Sequence, residues 1–183
     1  MMEQDLQEAQ IKPNKLAFQV ALAFAVYTIV IIYVLKLLNI DTQQENVSTG
    51  TKIISTIVTY VPFILAIMYT QIKHKADLGG FISYGRSFSA GFKVSSYAGL
   101  FAGILMIIYY KVLDRDALAH IMSVAVEKAG DNEQAVEGVK KIEPYMAILI
   151  AFSAAITYTI LGLFISLISS AFIKKEKPLH FEG

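Results

Sequence analysis

Four long apolar runs separated by polar connections dominate the chain, at residues 16–38, 53–70, 88–110 and 146–173. The first holds 23 residues interrupted only by Gln19, Thr28 and Lys36. At about 1.5 Å of rise per residue it is long enough to cross a hydrocarbon layer roughly 30 Å thick. The second run, 18 residues, carries Pro62 near its middle. Membrane helices accept a proline where neighbouring hydroxyls re-satisfy the carbonyl it frees, and a kink is expected there. The fourth run is long enough to tilt or to extend beyond the bilayer. None of the four contains Asp or Glu.

The pattern predicts an all-α fold, an integral membrane four-helix bundle. An N-terminal segment over 1–15 precedes a membrane domain over 16–173, and a basic tail follows over 174–183. The first run is read as a retained helix rather than a secretory signal. Glu3, Asp5 and Glu8 precede it, and it exceeds the apolar core of about 7–15 residues that signals carry. Tyr69, Tyr109, Tyr110 and Tyr145 mark run ends, where amphipathic rings suit the headgroup zone.

The connection 111–145 predicts a short extramembrane helical hairpin. Asp114 is placed to cap a first helix with Leu118, Ile121, Met122 and Ala125 on one face and Gly130 as its stop. Asp131 and Gln134 resemble a capping box for a second helix through Ile142, ended by Pro144. Such a hairpin lies on the bilayer surface, closes the bundle mouth or docks a partner.

Composition agrees with a lipid-facing chain: of 183 residues, 55% are hydrophobic and 17% charged, with mean hydropathy +0.54. The net charge of +1 points to no nucleic acid, and the absence of cysteine excludes disulfides, thiolate nucleophiles and thiolate metal sites. Local charge sets orientation. Lys12, Lys15, Lys73, Lys75, Arg86, Lys174, Lys175 and Lys177 fall close to run ends on one side. On the other, Lys36, Lys52, Lys111, Arg115, Lys128, Lys140 and Lys141 are spread over longer connections. The bias puts both termini in the cytoplasm.

Small residues recur every fourth position in the third run, at Gly91, Ser95, Gly99 and Gly103, and in the fourth, at Gly162, Ser166 and Ser170. Such rows let helix backbones approach closely, within one chain or between copies. Lys93 is the one ionisable group well inside a run; its stem can snorkel to the headgroups, or its amine can serve an internal site. Ser153, Thr157, Thr159 and Ser166 could line a neutral pathway, but Ser and Thr more often bond back to their own helix.

Between the second and third runs, Gly79 and Gly80 permit a sharp reversal and Ser83 is placed to cap the third helix. This is either a plain turn or an anion site, in which Lys73, His74, Lys75 and Arg86 hold a phosphate or lipid headgroup against free helix amides. It is neither a phosphate-binding loop nor a nucleophile elbow. His74, His120 and His180 form no metal-binding spacing, so no metal, cofactor or enzymatic activity is expected.

The stretch Asp77-Leu78-Gly79-Gly80-Phe81-Ile82-Ser83-Tyr84-Gly85-Arg86-Ser87-Phe88 resembles a bacterial family of small membrane proteins known as domain of unknown function 4199. The likeness extends to Tyr109-Tyr110-Lys111, Asp114-Arg115-Asp116 and the segment Phe172 to Pro178. The resemblance implies four helices in a bacterial cytoplasmic (inner) membrane and no established activity. The expectation is therefore a noncatalytic accessory or interaction component in contact with membrane lipids, with a second copy or another membrane protein as partner. A small oligomeric transporter or channel for a neutral or anionic solute is the alternative.

Overall fold

The computed structural model describes residues 11–38, 40 and 48–177. The segment holding Glu3, Asp5 and Glu8, and Pro178 and His180 in the tail, lie outside the described residues. The described chain is helical, with α1 Asn14–Leu37, α2 Thr49–Asp77, α3 Tyr84–Ile108, α4 Arg115–Ala129, α5 Glu133–Ile142 and α6 Met146–Ile173. The helices α1, α2, α3 and α6 are long and apolar enough to cross a membrane, so the chain is a multi-pass membrane protein.

Helix α2 is longer at both ends than its apolar run. Ser48 caps its start, accepting from the Thr51 amide at 3.1 Å, and the helix continues to Asp77. Lys73, His74 and Lys75 thus stand on helix rather than in a loop, because nothing between Thr70 and Asp77 breaks a helix before Gly79 and Gly80. Pro62 sits inside α2 without ending it.

Helix α3 is the hub of the bundle and packs most extensively on α6, then on α1 and on α2. Its buried face is built almost wholly of small residues: Ser87, Ala90, Gly91, Ser95, Ala98, Gly99, Ala102 and Gly103, with Val94. The small-residue rows of α3 and α6 meet within the chain. A Cβ on Gly99 would lie 2.6 Å from the Ala155 carbonyl oxygen, one on Gly103 would lie 3.1 Å from that of Ala151, and one on Gly162 would overlap the Ser95 side chain. Removing a Cβ is what allows such backbone approach where no hydrophobic force drives helices together. Aromatic rings fill the wider space toward α1 and α2, where Phe24, Phe63 and Tyr158 meet with centroids 5.0–5.4 Å apart.

After Ile108 the helix widens into a π-turn over Tyr109–Leu113 and stops at Asp114, whose side chain accepts from the Ala117 amide at 3.1 Å to start α4. Gly130, at φ +57, ends α4. The second helix begins differently from the expected capping box. Asn132, not Asp131, accepts from the Ala135 amide at 3.1 Å, so Gln134 falls at the wrong position to answer it. Both side chains cap well, and the turn after Gly130 selects Asn132.

Candidate functional site

The end of the bundle where α1 begins, α2 and α6 finish and α3 begins carries most of the residues singled out for chemistry. Gly79 and Gly80 take φ of +77 and +88, the left-handed region that glycine enters without strain, and their amides return to the carbonyls of Ala76 and Lys75. Ile82 then pairs with Lys175 through two backbone hydrogen bonds of 2.8 and 2.9 Å, which ties the turn to the segment following α6. Leu78, Ile82 and Ile173 are buried together beneath this clasp, and the Lys175 ammonium stands 5.1 Å from the centre of the Phe81 ring. Ser83 accepts from the Arg86 amide at 3.4 Å as the cap of α3.

The basic groups divide by what already holds them. Lys75 Nζ donates to the Ile173 carbonyl at 2.7 Å, serving one of the carbonyls left over at the end of α6. Lys73 forms an i,i+4 ion pair with Asp77 at 3.3 Å, both side chains well exposed, a pairing that holds neither group firmly. Lys93 Nζ donates to Asn14 Oδ1 at 2.8 Å, so its amine stands beside the first residue of α1 rather than in the middle of the bundle. His74 departs from the expected anion site: it is 3% exposed and turned into the bundle, so it offers no charge to a headgroup.

One turn deeper lies a polar knot that the sequence did not announce. Gln71 is fully buried, and its Nε2 approaches the carbonyl oxygens of Ser87 and Ser166 at 3.3 Å and Ser170 Oγ at 2.9 Å. A single amide thus joins α2, α3 and α6. Gly91 makes room for it, since a Cβ there would stand 2.6 Å from Gln71 Nε2 and 2.7 Å from Ser166 Oγ. Gln71 follows the second apolar run by one residue, and its i,i+4 relation to Ile67 and Lys75 was the available signal.

At the opposite end, Lys36 pairs with Asp114 across 78 residues of chain. The carboxylate is 5% exposed and also accepts from the Tyr109 hydroxyl at 2.8 Å, with Tyr33 packed edge-on to the Tyr109 ring. Burial pushes the Asp114 carboxyl up, but hydrogen bonds from Lys36, Tyr109 and the Ala117 amide outweigh it and hold the group below its ordinary value.

The hydroxyls expected to line a pathway behave differently from one another. Thr159 returns its hydroxyl to the Ala155 carbonyl at 2.8 Å, Ser153 and Thr157 face outward, and Ser166 is buried in the knot. Among the described residues no group of three or more His, Asp or Glu side chains is arranged to hold a metal ion.

No curated protein and no solved structure matched the chain. A family model described as protein of unknown function (DUF4199) matches residues 19–175, from α1 through the clasp at Lys175. The chain therefore belongs to the DUF4199 family of proteins of unknown function.

Proposed function

We propose that the protein is a noncatalytic accessory component of a bacterial cytoplasmic membrane that holds anionic lipid headgroups at the end bearing the α2–α3 turn. The observation that carries this reading is the charge of that end. Lys73, Lys75, Arg86, Lys93, Lys174 and Lys175 gather there, and Asp77 and Glu176 are its only acids among the described residues. Each basic group near an anionic surface contributes about 1 kcal/mol of attraction. The capped N-terminus of α3 adds the positive end of a helix dipole. The same excess of Lys and Arg puts this end on the cytoplasmic side. Helices α4 and α5 then lie outside the hydrocarbon layer on the other side, and the half-buried Val136 and Val139 with the exposed Ile142 of α5 suit the bilayer surface.

Transport is the weaker reading. The Lys93 amine sits at the end of α1, and Thr28, Ser95 and Thr159 each spend their hydroxyl on their own helix. The test is native mass spectrometry of the full chain released from nanodiscs of mixed phosphatidylglycerol and phosphatidylethanolamine. The wild type is expected to retain phosphatidylglycerol preferentially. The triple variant Lys73→Gln, Arg86→Gln, Lys174→Gln, which spares the Lys75 cap, is expected to lose that preference. Equal retention by both proteins would sink the proposal.

A further inference from the structure

Three buried polar atoms in the knot have unspent hydrogen-bonding capacity. Gln71, Ser87 and Ser166 are each 0% exposed, and Gln71 Oε1, Ser87 Oγ and Ser166 Oγ have no hydrogen-bond partner among the described residues. Elsewhere in the spans the usual solution is followed: Thr28, Thr59, Thr70, Ser95, Thr159 and Ser169 each return a hydroxyl to the carbonyl four residues earlier. Ser87 and Ser166 depart from it. They are also the two residues whose backbone carbonyls the Gln71 amide nitrogen approaches, so the three residues with unspent atoms gather around one buried amide between α2, α3 and α6. Interiors rarely leave such groups unpaired, and a cluster of them marks a bound partner.

We propose that this cluster is the binding site of an internal water molecule that bridges the three helices. The donor set selects it. Each serine hydroxyl can donate and the Gln71 carbonyl oxygen can only accept, so the guest must accept and donate at once. One water does both, accepting from Ser87 and Ser166 and donating to Gln71, which gives the three hydrogen bonds usual for a buried water. A metal cation would meet no carboxylate among Gln71, Ser87 and Ser166. An anion would face the Gln71 oxygen. Gly91 keeps the site open, because any side chain there would run into both Gln71 and Ser166.

The decisive measurement is a structure of the full chain in lipid at a resolution that reveals ordered solvent. A solvent peak within hydrogen-bonding distance of Gln71 Oε1 and of at least one of the two hydroxyls is the expected result. Both hydroxyls turned onto their own helix carbonyls, at Ser83 and Gly162, with no peak between them, would overturn it. Thermal unfolding gives an independent arm. If water joins the hydroxyls, Ser87→Ala and Ser166→Ala each lower Tm by about 2–4 °C, and the double variant loses less than the sum because both remove the same bridge. A Tm unchanged or raised by either single substitution would mean the hydroxyls are dry, and would refute the site.

Discussion

The Tyr27 hydroxyl donates to the Val58 carbonyl at 2.7 Å, the very carbonyl that Pro62, four residues on, leaves without its helical partner. A proline inside a membrane helix is thus accommodated by a side chain from the neighbouring α1. Tyr27→Phe is expected to cost about 1–3 kcal/mol, the penalty of an unpaired buried carbonyl. In a Pro62→Ala background α2 regains its own bond, and the same substitution should cost little. Equilibrium unfolding of the four proteins of this cycle checks it. An equal cost in both backgrounds would show that the Tyr27 hydroxyl does not act through the carbonyl that Pro62 leaves free.

The glycines between α3 and α6 are expected to rank by what a methyl group would strike. Gly162→Ala and Gly99→Ala meet the Ser95 side chain and the Ala155 backbone, and each should destabilise by about 1–3 kcal/mol by forcing the helices apart. Gly103→Ala, with 3.1 Å to the Ala151 carbonyl, needs only a small shift and should cost less than either. The order of the three unfolding midpoints is the measurement, and a reversed order would contradict the packing.

Asp114 makes a pH dependence with a definite sign. Its folded pKa lies below the ordinary 3.8, so the stability it contributes is complete above about pH 3.8 and is lost as pH falls through the lower folded value. Unfolding followed from pH 6 down to pH 2 should show this acid slope in the wild type and a reduced one in Asp114→Asn. Asparagine still caps α4, whereas Asp114→Ala should lose about 1 kcal/mol more at neutral pH. An unchanged slope in Asp114→Asn would assign the acid sensitivity to another carboxylate.

Lys93 bonds a neutral amide at the edge of the bundle, so Lys93→Met is expected to change stability by no more than about 0.5 kcal/mol. A loss several times larger on unfolding would place its amine in an internal network.

Much of this architecture is legible from the chain alone, because the strongest signals are local. Apolar length marks the spans, the four-residue spacing of Gly91, Ser95, Gly99 and Gly103 marks the close-packed face, and Ser83 and the glycine pair mark a turn and a cap. What is illegible depends on partners far away in the chain. Gln71 reads as the first residue of a connection until Ser166 and Ser170 arrive from α6. Lys36 reads as an ordinary flanking lysine, and Asp114 as a simple cap, until the fold sets them together. His74 misleads for the same reason: beside two lysines it looks like surface charge, and only the continuation of α2 turns it inward.

The position of α3 as hub has a consequence for assembly of the protein in a living membrane. Its most extensive partner, α6, follows it only after residues 109–145 have been synthesised, so the glycine-lined face of α3 emerges from the ribosome well before the surface that will cover it. Through that interval the Gln71 amide is without Ser166 and Ser170, the two partners that only α6 brings to it. The clasp between Ile82 and Lys175 closes only afterwards, as the final register mark of a bundle completed from its far end.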